Sequence, residues 1–179
     1  MIIYFVRHAS AGEHLSNPKK DEKRPLDSDG IEQCGFVGRA LAALDAQVDI
    51  IISSPLKRAT QTASLVGNEI GYEGKLQLEA GLRPDASFSD FRKLLDKYSK
   101  HDAVMVVGHN PSITDFLARM IAKSGCEALV DFKKGAVARA ETSRNSATLN
   151  WFLTPKMARE IQAAAAAAAE KSHPKISRK

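Results

Sequence analysis

Cysteine is scarce in this sequence: Cys34 and Cys126 are the two among 179 residues. They could form one bridge at most, and neither has metal-ligand spacing. A disulfide scaffold is thereby excluded, and reduced cytosolic thiols are expected. Long apolar runs are missing as well. The opening stretch Ile2 to Val6 is shorter than the ~7–15 residues of a secretory core. Nothing approaches the ~18 apolar residues of a spanning helix. A cytoplasmic protein with no membrane partner is expected. Several catalytic signatures are absent too. There is no Gly-x-Ser-x-Gly elbow, no Gly-x-x-x-x-Gly-Lys loop and no Gly-x-Gly-x-x-Gly turn. There is no His-Glu-x-x-His and no Cys-x-x-Cys, so zinc chemistry has little support.

Acidic residues are absent from one place that matters. The chain carries 26 basic and 21 acidic side chains, a net charge of +5. The last nine residues hold Lys171, Lys175, Arg178 and Lys179 and no acid. The remaining chain is therefore nearly neutral, and the basic character belongs to a tail. Nucleic acid is not an expected partner of the globular body. At 44% hydrophobic and 26% charged residues, the composition is that of one globular domain. We place that domain at residues 1–171, with an Ala-rich last helix at 155–171 and a flexible basic tail at 172–179.

What is present is an alternation of strands and helices. Ile2 to Val6, Val48 to Ile52 and Ala103 to Val107 are short continuous apolar runs, as expected of strands buried on both faces. Lys75 to Leu78 reads as a short strand. Val137 to Ala140 and Ala147 to Phe152 read as a hairpin around the turn Thr142 to Ser146. Helices are expected from Ser28 or Asp29 to Leu44, from Pro55 to Ile70, from Phe88 to Tyr98, from Pro111 to Ala122, and from Pro155 onward. Ser54-Pro55, Asn110-Pro111 and Thr154-Pro155 read as a capping residue followed by a first-turn proline. Ser10 to Asp27 reads as a polar loop, and its charge cluster Lys19 to Arg24 as a solvated face. The fold class is α/β: a three-layer sandwich with a mostly parallel, mixed sheet and helices on both faces.

In such sheets ligands bind beyond the carboxyl ends of the strands. The first strand ends in Arg7-His8 and the second in Ser53-Ser54-Pro55, with Arg58 one turn on. The strand at 103–107 ends in Gly108-His109-Asn110-Pro111. Two imidazoles, two guanidiniums and two helix N-termini thus gather at one sheet edge, a combination suited to an anion such as phosphate. An imidazole there can serve as nucleophile or as acid and base. His8 and His109 could also hold a metal, but the neighbouring arginines oppose a cation. His14, His101 and His173 read as ordinary polar residues.

These residues also resemble a known family. Val6-Arg7-His8-Ala9, Pro25 to Gly30, Ser53 to Ala63 and Val107 to Pro111 follow, in order, the motifs of the histidine phosphatase superfamily, also called phosphoglycerate mutase-like. The short length, the Gly-His-Asn-Pro ending and Trp151 to Lys156 look like its phosphohistidine phosphatase (SixA-type) branch. The resemblance implies that His8 attacks phosphorus to form a phosphohistidine intermediate, which water then hydrolyses. It implies that Arg7, Arg58 and His109 bind the phosphoryl oxygens, with no cofactor and no metal. His8 is then expected neutral and His109 protonated, so that activity peaks between two apparent pKa values.

Two departures stand out. Ala9 replaces the family's usual glycine, a small change the backbone should tolerate. The general acid that many members carry after the third strand is not evident. Glu79 is the first candidate and Asp85 the second, with a solvated loop carboxylate as the alternative for each. A weak acid suits P–N cleavage, because imidazole leaves more readily than an alkoxide. The expected partner is therefore a phosphohistidine-bearing protein such as a histidine phosphotransfer domain, with inorganic phosphate as product. Two alternatives stay open: a phosphatase or mutase for a small phosphomonoester, and a non-catalytic binding module with a basic tail.

Overall fold

The computed structural model describes residues 1–123, 125–143 and 146–172. Its elements in chain order are β1 (Ile2–Arg7), α1 (Pro18–Glu22), α2 (Ser28–Ala43), β2 (Ile50–Ser53), α3 (Lys57–Glu69), β3 (Gln77–Leu78), α4 (Phe88–Lys97), β4 (Ala103–Gly108), α5 (Ser112–Ile121), β5 (Val137–Thr142), β6 (Ala147–Leu153) and α6 (Pro155–Ser172). The six strands form one sheet in the order β3-β2-β4-β1-β5-β6. β1, β2, β3 and β4 pair in parallel, whereas β5 runs antiparallel to both β1 and β6. This is the mixed α/β sandwich expected from the sequence, including the terminal hairpin. Residues 144 and 145 of the expected turn, and 173–179 of the expected tail, lie outside the described residues.

The apolar runs form strands because each side of the sheet has its own core. Alternation sends Ile3 and Phe5 of β1, with Val104 and Val106 of β4, to the layer of α4 and α5. Tyr4, Val6, Met105 and Val107 go to the layer of α2, α3 and α6. A strand buried on both faces has no polar alternation, which is why these segments read as continuous. α4 contributes Phe91, Leu94, Leu95 and Tyr98 to its core, as its spacing predicts.

Three expectations at helix ends need correction. α3 begins at Lys57 behind Leu56 and has no side-chain cap. Ser54 is instead committed to His109, whose Nε2 lies 2.8 Å from its Oγ. α5 begins at Ser112 behind Pro111, again with no side-chain cap. Asn110 instead donates to the Phe132 carbonyl (3.2 Å) and accepts from Thr114 Oγ1 (2.8 Å). In both cases the polar side chain reaches across to the sheet edge, to His109 or Phe132, instead of capping its helix. The cap-plus-proline device does operate at Asn17-Pro18, inside the segment read as loop. The Asn17 side chain accepts from Lys20 N at 3.2 Å and Pro18 opens α1. At Thr154 the device works as expected, with Met157 N donating to Thr154 Oγ1 at 3.2 Å.

The segment after β1 is fastened to α2 through Asp27 and through Gln33, whose Oε1 accepts from Ser10 N at 2.9 Å. Asp27 caps α2 by accepting from Gly30 N (2.7 Å) and also accepts from Ser10 Oγ (2.8 Å) and Gly12 N (2.7 Å). A Cβ at Gly30 would lie 2.0 Å from the Ser10 carbonyl oxygen, so this close approach needs glycine.

Candidate active site

β1, β2 and β4 end side by side, and their exits converge on one open pocket of about 520 Å³. Arg7, His8, Arg58 and His109 all line it. The two imidazoles meet with ring centroids 4.9 Å apart. His8 is 8% exposed, and its Nδ1 lies 2.7 Å from the Ala9 carbonyl. A carbonyl can only accept, so Nδ1 carries the proton and Nε2 of the neutral ring keeps its lone pair.

His109 is 2% exposed and is held through Nε2 by Ser54. Ser54 Oγ accepts from Leu56 N at 3.4 Å, so we assign its hydroxyl hydrogen to His109 Nε2, which puts the ring proton on Nδ1. That Nδ1 is buried and, among the described residues, has no hydrogen-bond partner; the same is true of Arg7 Nε and Arg58 Nε. Buried donors without partners are costly and uncommon, so three in one pocket point to an anion that accepts from them. The arginines are fixed at their other nitrogens. Arg7 Nη1 donates to the Phe132 carbonyl at 2.7 Å, and Arg58 Nη1 to the Asp21 carbonyl at 2.9 Å and to its Oδ2 at 3.2 Å.

The motif around Arg58 has a structural reading. Thr62 Oγ1 donates to the Arg58 carbonyl (2.8 Å) and accepts from Ala9 N (3.1 Å), tying the exit of β1 to α3. Gln61 Oε1 accepts from Leu26 N at 2.9 Å, and Ala59 is fully buried. Ala9 is also fully buried and its φ is not positive, so the methyl group is accommodated.

Electrostatics agree with the neutral His8 expected from the sequence and differ on His109. Burial pushes His8 down to about 3, and Arg58 and Arg7 add to the effect. Burial, followed by His8, Arg58 and Arg83, pushes His109 down to about 2. Both rings are neutral at pH 7 in the protein alone, so His109 is not the imidazolium expected from the sequence. It needs no extra proton, because its Nδ1–H tautomer already donates.

The sign of the pH effect follows. A histidine of the unfolded chain takes its proton near the ordinary value of 6.5, whereas these two resist until about 3 and 2. Their contribution to stability is complete above 6.5 and is lost as the pH falls below it. In NMR titration of labelled histidines from about pH 8 to about pH 5, both rings should keep neutral-form shifts. Either ring titrating at an ordinary histidine value would contradict this assignment.

The carboxylates are distributed differently from expectation. Glu79 does not line the pocket. It accepts from Lys97 Nζ (2.5 Å) and Tyr98 Oη (2.7 Å), and the Lys97 bond leads in holding its carboxyl below the usual range. Asp85 does line the pocket, but its side chain is 84% exposed and lies 3.9 Å from Arg83.

The sequence reading missed Asp21, which was assigned to a solvated cluster. Its side chain is 8% exposed and meets Arg24 Nε at 2.8 Å and Arg58 Nη1 at 3.2 Å. Burial works to raise its pKa, but Arg24, the Leu15 N–H and Arg58 outweigh it and hold the carboxyl at about 2. His14, Arg24, Arg83 and Lys134 line the pocket too. The Asn17-Pro18 start and the i,i+3 pair Asp21–Arg24 were the available hints.

Together the sheet edge and its pocket define an α/β protein that gathers arginines around an uncharged imidazole. Residues 3–85 match the model of the histidine phosphatase superfamily (branch 1). A functionally uncharacterised protein of Picosynechococcus sp. is 34% identical over 119 residues, 65% of this chain and 70% of that protein. The mitochondrial serine/threonine-protein phosphatase Pgam5 of Drosophila persimilis is 38% identical over 71 residues, 40% of this chain but only 24% of the relative's length. Among solved structures, the protein histidine phosphatase SixA complexed with tungstate superposes with TM-score 0.77 at 21% identity, covering 87% of this chain and 98% of that one. Phosphoglycerate mutase from Bacillus anthracis superposes with TM-score 0.69 at 15% identity, covering 90% and 96%. At these identities the structural likeness is one of fold. The chain belongs to the histidine phosphatase superfamily. Among the described residues, no helix is long and apolar enough to cross a membrane.

Proposed function

We propose that this chain is a phosphohydrolase that uses His8 as nucleophile and acts on protein-borne phosphohistidine. The observation that carries the reading is the set of unpartnered buried donors, Arg7 Nε, Arg58 Nε and His109 Nδ1, in the pocket that also holds His8. The His8 Nε2 lone pair attacks phosphorus, and the bond to the leaving atom breaks. The three donors take the phosphoryl oxygens, where negative charge is greatest, without needing to reorganise. Water then cleaves the phosphohistidine and restores the neutral ring. The arginines supply the positive charge that a metal provides elsewhere, so activity should persist in a chelator.

Two features support a protein substrate. The pocket is open, and Glu79, the first candidate for a general acid, is tied up outside it. A P–N bond needs less help from an acid than a phosphoester does. The second reading, a phosphomonoesterase, draws on the name of the Drosophila relative, a serine/threonine-protein phosphatase.

The deciding experiment offers a phosphorylated histidine phosphotransfer domain and a panel of small phosphate esters, all in EDTA. Faster release from the phosphohistidine protein supports the first reading. Release confined to the esters would replace it with the second, and release from neither would leave a binding module.

A further inference from the structure

We propose that His14 is the proton donor to the leaving group, which extends the pocket's substrates to alkyl phosphate esters. The proposal rests on the His8 reading above. If His8 attacks from the floor of the pocket, where it is 8% exposed, the leaving group departs toward the mouth. A proton donor must therefore sit at the mouth. Among the residues lining the pocket, the groups able to give a proton there are few. Arg24 and Arg83 do not release theirs near neutral pH, and an ammonium such as that of Lys134 is a much weaker acid than an imidazolium. Asp85 and Glu22 both stand as ion-pair partners of Arg83, Asp85 at 3.9 Å and Glu22 in a direct hydrogen bond. Asp21 is held ionised at about 2. Glu79 is absent from the lining.

His14 lines the pocket with its side chain 76% exposed. Its Nε2 lies 3.7 Å from Asp21 Oδ2. Asp21 is itself anchored by Arg24, Arg58 and the Leu15 N–H, which donates at 2.9 Å. A buried carboxylate thus faces the ring from one side, next to the guanidinium that handles the phosphoryl group. Imidazole is the side chain best matched to giving a proton near neutral pH. The step balances. His8 Nε2 forms the bond to phosphorus, and the P–O electron pair stays on the leaving oxygen. That oxygen takes the proton from the His14 imidazolium. In the second step neutral His14 accepts a proton from the attacking water, which returns it to its starting state.

The test uses the full chain and two ester substrates. An alkyl phosphate leaves as a poor alkoxide, whereas p-nitrophenyl phosphate leaves without protonation. His14→Ala should slow the alkyl ester by about 10²-fold and the nitrophenyl ester by less than about threefold. Added imidazole should restore part of the alkyl-ester rate. A purely structural role for His14 would lower both rates together and would not respond to imidazole. That pattern, or an unchanged alkyl-ester rate, overturns the proposal. Wild-type protein that hydrolyses the nitrophenyl ester but no alkyl ester overturns it as well, while leaving the His8 reading intact. Wild-type protein that hydrolyses neither ester nor phosphohistidine would instead sink the His8 reading.

Discussion

His8→Ala should lose at least about 10³-fold in phosphate release, because it removes the nucleophile rather than a binding contact. The variant should still bind inorganic phosphate, since Arg7, Arg58 and His109 remain. In the wild type, rapid quenching should trap a phosphorylated protein whose label survives alkali and is lost in acid, as a phosphoramidate does. His8→Ala should show no such label. A variant that keeps its activity, or a wild type labelled at another residue, would remove His8 from the reaction. Retained phosphate binding is the part of the result that separates loss of chemistry from loss of fold.

Asp21→Ala should be the most destabilising single change at the pocket. Asp21 and Arg58 are 8% and 6% exposed at their side chains, and Arg24 is 12% exposed. Removing the carboxylate strands two guanidiniums in a poorly hydrated place. Breaking one partner out of a buried pair costs about 3–5 kcal/mol, since the remaining charge is left uncompensated. Denaturant unfolding measures this directly. Inorganic phosphate should narrow the gap between variant and parent, because two uncompensated guanidiniums bind the anion more tightly and so gain more stability from it by mass action. A variant as stable as the parent would show that Asp21 is not the counter-charge of this pocket.

The architecture was largely legible in the sequence because the central strands are apolar on both faces. Three such runs, each ending in Arg-His, Ser-Ser-Pro or Gly-His-Asn-Pro, gave the sheet and its functional edge together. The roles of Ser54 and Asn110 were not legible. Local pattern favours capping, and only the folded sheet shows His109 and Phe132 competing successfully for those side chains. Asp21 was hidden for a related reason. A mixed-sign cluster usually faces water, and burial of one member depends on Arg58, 37 positions away. The neutral state of His109 leaves no mark in the sequence, because burial and the neighbouring His8, Arg58 and Arg83 act through space. The tautomer set by Ser54 also made the extra proton unnecessary.

The Asp27 clamp has a mechanical consequence. With Ser10, Gly12 and Gly30 all fastened to one carboxylate, the segment leaving β1 behaves as a cantilever with a rigid root. The arm beyond Gly12 runs from Glu13 to Ser16, where the Leu15 N–H donates to Asp21. Under the function proposed above, adjustment to substrates of different size falls to this short arm, which carries His14, while the imidazole and guanidinium at the root keep their places.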